Sequence, residues 1–355
     1  MLYGIFDAAV IRTGYWLKYI EPESIAGTVQ LNRKVVAQRF DPSRSNIIVV
    51  GDSQVGEGFS AKLANEVAHG TKLNFIGCGI SGSTPRVWRY FLREVDPQRN
   101  KFKAIVLMAN AISDEDIVED FENYRLDLNY CLPLLSWCDW QTFPQSFPDP
   151  ALRQRARRSI AFPLAFAQSD LRELFRHPIL RARKVSLWQS GYPTWIYDYP
   201  ARPESLPSLV LDGSPAQPRS WDLVPESLRP RLQGYFAQAA VNYPHPPLAS
   251  VSAYRRKWYG EIARDYLSTG IPVYVFLMPR GPYHTQLKAP PVLAGALAEL
   301  ASKGAIRFLN PERFGQLEVA SNFFDQLHLN AIGRAKLTDL LAREVMERES
   351  KSSPP

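Results

Sequence analysis

The run Ile47-Ile-Val-Val50 carries no polar alternation, and it constrains the fold more than any other stretch of the chain. A strand with one wet face alternates apolar and polar residues. An unbroken β-branched run marks a strand covered on both faces. Short apolar runs recur at Leu73–Ile76, Ala104–Met108, Pro272–Leu277 and Ile306–Leu309, separated by helical patterns. Strands that alternate with helices pack as a parallel sheet between two helical layers. The expectation is an α/β chain with a flavodoxin-like three-layer α/β/α sandwich, five parallel strands, and a large insertion after the third.

Helix punctuation supports that order. Ser252 is placed to cap a helix that runs to about Ser268 and stops at Gly270. A second helix ends at Gly304, and a last one spans about Ala331 to Arg348. Residues 1–45 read as an amphipathic lead-in ending at Asp41-Pro42-Ser43. Residues 46–125 and 250–349 read as the core. Residues 126–249 are too long for a bare loop and read as an inserted lobe or cap over the carboxyl edge of the sheet.

Composition narrows the setting. An apolar content of 45% with 22% charged residues fits a globular chain. No run approaches the roughly 18 consecutive apolar residues of a membrane span. The opening segment is interrupted by Asp7 and Arg12 and lacks the features of a signal peptide, so the chain is either cytoplasmic or begins after a removed leader or anchor. The net charge of +7 favours anionic partners such as acidic glycans, lipid headgroups or nucleic acid. No recognised nucleic-acid module is present, which counts against the last. Three cysteines do not make a disulfide framework, and spacing leaves pairing of Cys131 with Cys138 open.

The first strand runs into Gly51-Asp-Ser-Gln-Val-Gly-Glu-Gly58. These glycines have the wrong spacing for a dinucleotide fingerprint, and no Gly-Lys-Ser/Thr follows to make a phosphate loop. A serine at a sharp strand-to-helix turn can instead present its hydroxyl as a nucleophile, or merely cap the helix. A serine nucleophile needs a base. His69, His177 and His245 have no acidic neighbour at a useful spacing, whereas His284 follows a strand and could line a pocket. The fifth histidine lies in Asn322-Phe-Phe-Asp-Gln-Leu-His-Leu-Asn330, where Asp325 precedes His328 by three residues. One turn can hold that carboxylate against the imidazole and set its tautomer.

Gly51-Asp52-Ser53 together with Asp325-x-x-His328 resembles the SGNH/GDSL hydrolase superfamily. Ile80-Ser81-Gly82-Ser83-Thr84 resembles the second block of that family, whose glycine gives a backbone N–H to an oxyanion hole. Asn110, at the end of the third strand, stands where the family places an asparagine donor. Here the block reads Ala109-Asn110-Ala111 and lacks the family's glycine and following aspartate. The resemblance spans about residues 45–125 and 250–345. It implies a Ser53–His328–Asp325 triad with an oxyanion hole of Ser53 N–H, Gly82 N–H and the Asn110 amide, without metal or cofactor.

Two further stretches narrow the resemblance. Asn322-Phe-Phe-Asp-x-x-His-Leu-Asn-x-x-Gly333 and Tyr274-Val-Phe-Leu-Met-Pro279 look like blocks of SGNH-like proteins that O-acetylate exopolysaccharides, including the alginate type. Such proteins work outside the cytoplasmic membrane beside a membrane-bound O-acyltransferase. The expectation is therefore acyl transfer through Ser53 to an extracytoplasmic, anionic glycan. A carbohydrate or lipid O-acetyl esterase, and a glycan-binding protein with a degraded site, are the alternatives.

The insert adds aromatic rings and arginines suited to sugar faces and carboxylates, eight of the arginines falling between positions 153 and 183. A core role for the tryptophans with a solvated arginine face is the competing reading, and mixed basic and apolar residues over 152–184 also suit a membrane surface. Trp188, Trp195, Arg280 and His284 are the substrate-binding candidates.

Overall fold

The computed structural model describes residues 7–110, 123–213, 217–240, 248–283 and 295–352. The main sheet has β1 (Ser45–Gly51), β2 (Leu73–Gly79), β3 (Ala104–Asn110), β4 (Val273–Met278) and β5 (Arg307–Phe308). The helices are α1 (Ile25–Arg39), α2 (Ser53–Gly58), α3 (Ala61–Val67), α4 (Pro85–Val95), α5 (Asp127–Cys131), α6 (Pro150–Ala161), α7 (Pro163–Arg176), α8 (Pro178–Asp198), α9 (Arg229–Ala240), α10 (Leu248–Leu267), α11 (Gly295–Ser302), α12 (Pro311–Gly315) and α13 (Ala331–Ser352). Short 3-10 turns and a small two-stranded hairpin complete the insert.

The sheet order is β2-β1-β3-β4-β5, and every pairing is parallel. This is the expected α/β/α sandwich. Ile47 to Val50 are fully buried, as the absence of polar alternation required. β2 lies on one side of β1 and β3 on the other, so the connections diverge at the carboxyl end of β1. In doubly wound sheets that divergence opens a crevice.

Residues 25–39 of the lead-in form α1, whose Val29, Val35 and Val36 join the main hydrophobic core. α13 buries Leu337, Leu341, Ala342 and Val345 at helical spacing, and its Thr338 hydroxyl accepts the buried N–H of Ser60 at 3.0 Å. The insert is tied to the sheet by a buried ion pair, Arg86 of α4 with Asp127 of α5 at 3.2 Å. Thr84 donates to Asp127 and accepts from Tyr254 at 2.8 Å. All three cysteines are free, with Cys78 and Cys131 buried and Cys138 exposed.

Candidate active site

Backbone contacts that only glycine permits fix Ser53 at the crevice. A Cβ on Gly51 would lie 2.3 Å from a Val55 methyl and 2.5 Å from the Met108 side chain. At the end of β2, a Cβ on Gly79 would lie 2.3 Å from Gly56 N, so the backbone of α2 rests directly on the neighbouring strand. The Asp52 carboxylate caps α2 by accepting from Gln54 N at 2.8 Å. Ser53 is therefore the first helical residue after β1.

His328 comes from a closed loop before α13. Phe324 N donates to His328 O at 3.1 Å, and Asn330 N donates to Asn322 O at 2.9 Å. Inside the loop, Asp325 Oδ1 accepts Leu327 N and His328 N, each at 2.7 Å. The carboxylate is buried, and its Oδ2 lies 2.8 Å from His328 Nδ1. A carboxylate can only accept, so Nδ1 carries the proton and Nε2 faces outward as a base. His328 Nε2 lies 2.9 Å from Ser53 Oγ. The three side chains thus form a continuous relay between residues 275 positions apart.

Electrostatics match the geometry. Burial disfavours the charged imidazole, yet the hydrogen bond and charge of Asp325, with Asp52 and Glu57 nearby, raise His328 above its ordinary value. Burial would also raise Asp325, but His328 and the two backbone N–H groups hold it below the usual carboxylate range. The Phe324 ring stacks on the imidazole, with centroids 5.7 Å apart and planes at 13°.

Gly82 lies just past the end of β2, and Asn110 ends β3. Val50 pairs with Leu107, three residues before Ser53 and Asn110 respectively. Gly51 pairs with Gly79, and Gly82 follows three residues beyond it. Gly82 has φ +70°, and a Cβ there would meet the Tyr130 hydroxyl at 2.7 Å. Tyr130 donates that hydroxyl to Ser81 O, so α5 of the insert braces the turn.

The substrate-binding candidates separate. The Arg280 guanidinium is buried against Glu318, donating from Nε at 2.8 Å and Nη2 at 2.7 Å. Trp188 and exposed Trp195 belong to a row of rings along α8 with Tyr192 and Tyr199, with successive centroids 6.1, 5.7 and 5.0 Å apart. The row ends near the triad: Arg334 of α13 lies over the Tyr199 ring, and Arg202 lies over Phe324. His284 falls outside the described residues.

Three residues went unforeseen. Arg231 of α9 makes an ion pair with Asp325 Oδ2, the same oxygen that holds His328. Asn330 is fully buried and donates to Glu204 O, Ser205 Oγ and Ser321 O while accepting Gly333 N, so it clamps the insert to the triad loop. Gly333 is required beside it, because a Cβ would lie 2.1 Å from Asn322 O. Asn330 and Gly333 stood in the quoted C-terminal block, but nothing local assigned them a partner. Among the described residues, no cluster of His, Cys, Asp and Glu could hold a metal ion. No family model and no curated protein sequence matches this chain.

Proposed function

We propose that the protein is a serine-dependent acyl-transfer enzyme. The observation that carries the reading is the Ser53–His328–Asp325 relay, with contacts of 2.9 and 2.8 Å and the imidazole oriented to accept the serine proton. Ser53 Oγ attacks the carbonyl of an acyl donor while His328 Nε2 takes its proton. The carbonyl electrons move to oxygen, where the N–H groups of Ser53 and Gly82 and the Asn110 amide are the candidate donors. Collapse expels the donor's alkoxide, which His328 protonates, and leaves an acyl ester on Ser53. An acceptor hydroxyl, deprotonated by His328, then attacks the acyl carbonyl, and Ser53 Oγ leaves and regains its proton from His328.

The resemblance of the Asn322–Gly333 block supports an extracytoplasmic polysaccharide as acceptor, acting with a membrane-bound O-acyltransferase that supplies the acyl group. The row of aromatic rings ending at Tyr199, with Arg334 over its last ring, and the net charge of +7 suit an anionic glycan. An intact relay counts against a binding protein with a decayed site. Hydrolysis of a chromogenic acetyl ester, with and without an anionic polysaccharide, tests the reading. Ser53→Ala should abolish turnover, and polysaccharide should divert acetyl groups from water. Turnover that persists in Ser53→Ala overturns the nucleophile. Glycan that never competes with water leaves an esterase.

A further inference from the structure

The α7–α8 corner has an exposed side that the fold does not use. On α7, Ala167 and Leu171, one turn apart, pack with Ile11, Trp16, Leu17 and Ile20 in a hydrophobic cluster separate from the main core. On α8, Arg181 is buried, paired with Glu21 at 3.1 Å and Asp170 at 2.8 Å. Three large apolar side chains stand in solvent here, Ile179 (84% exposed), Leu180 (66%) and Leu187 (63%), close to the half-turn that carries exposed Phe175. Every residue from 175 to 180 is exposed, and the single residue His177 joins the two helices. Exposed apolar side chains grouped in this way mark an interaction site.

The surrounding charge is of one sign. Between 172 and 187 the only acidic residue is Glu173, and it is paired with Arg181. Lys184 is taken up by Glu21 and Glu23. Among the described residues, no ion pair engages Arg172, Arg176 or Arg183. Positions 172, 175 and 176 share one face of α7, and 180, 183 and 187 share one face of α8, so guanidinium groups alternate with apolar side chains.

We infer that this corner docks the protein on an anionic phospholipid surface. The apolar tip enters the boundary between headgroups and acyl chains, and the flanking arginines bond to lipid phosphates. A bilayer offers both complements at once. A second copy of the chain would bring like-charged arginines together at the contact. No helix of the described residues is long and apolar enough to cross a membrane, so the contact is interfacial. The inference does not depend on the role of Ser53.

Co-sedimentation with phosphatidylcholine vesicles, with and without phosphatidylglycerol, is the test. The full chain should bind the anionic vesicles preferentially, and binding should weaken as salt is raised to about 0.5 M. Arg176→Glu with Arg183→Glu should weaken binding at least about 25-fold, at roughly fivefold per lost cation. Ile179→Ser with Leu180→Ser should weaken it comparably while leaving the thermal unfolding midpoint and ester hydrolysis unchanged, because both side chains are exposed. Equal binding to neutral vesicles, no binding, or binding indifferent to both pairs overturns the inference. A dimer in sedimentation that Ile179→Ser/Leu180→Ser dissociates also overturns it and assigns the corner to a second copy.

Discussion

Replacing Arg231 by alanine should make His328 a stronger base. The guanidinium and the imidazole bond to one oxygen, Asp325 Oδ2, through contacts of 2.5 and 2.8 Å, so their nitrogens are about 5 Å apart. When the imidazole is protonated, the two cations repel. The Arg231 side chain is 46% exposed, so solvent screens it. At an effective dielectric constant of about 40–80, the repulsion is about 0.8–1.7 kcal/mol. Its removal corresponds to roughly a fourfold to fifteenfold gain in proton affinity. Proton NMR titration of His328 reads this directly, and the acid limb of kcat/KM should move to higher pH by the same factor. The difference between wild type and variant should shrink with added salt. A midpoint that stays in place or moves down refutes the reasoning, and would mean that Arg231 acts on the carboxylate position rather than on the imidazole charge.

Other expectations follow from the same contacts. Asn330→Ala strands buried partners on both sides of the clamp, and urea unfolding should show a loss of about 2–4 kcal/mol; a loss below about 0.5 kcal/mol would remove the clamp from the account. Because His328 is raised in the fold, its stabilising contribution is complete below the unfolded value and fades as pH rises through the folded one. The stability gap between wild type and His328→Gln should therefore be larger near about pH 5 than near about pH 9, and the opposite trend contradicts the pairing with Asp325. Asn110→Ala should lower kcat by about a hundredfold with little change in KM, because the donor is needed mainly in the transition state; unchanged kcat removes Asn110 from the oxyanion hole.

The sheet was legible because its signal is local. Short apolar runs located all five strands, unbroken in β1, β3 and β4 and interrupted by Asn74 in β2 and Arg307 in β5. The fifth is shorter than expected, Arg307–Phe308, pairing with Tyr274 and Val275 of β4. Helix α10 already includes Leu248, four residues before the Ser252 expected to cap it. Within the site, Asp325 and His328 were legible because three residues of spacing decide their contact. Ser53 was legible as a serine at a strand-to-helix turn whose Gly51-Asp52-Ser53 block resembles a known one. Arg231 was not, because it reaches Asp325 across 94 residues and the insert holds many arginines with no periodicity to single one out. The same holds for Asn330, whose partners at 204 and 205 meet it only once the insert folds back.

The central claim is that Ser53 is an activated nucleophile, and a serine-directed fluorophosphonate probe with site mapping by mass spectrometry tests it most directly. The relay from Asp325 through His328 predicts one labelled residue, Ser53, in the folded protein. Labelling should disappear in Ser53→Ala and fall by at least about a thousandfold in rate in His328→Ala. A folded protein that takes no label, or takes it elsewhere than Ser53, contradicts the account.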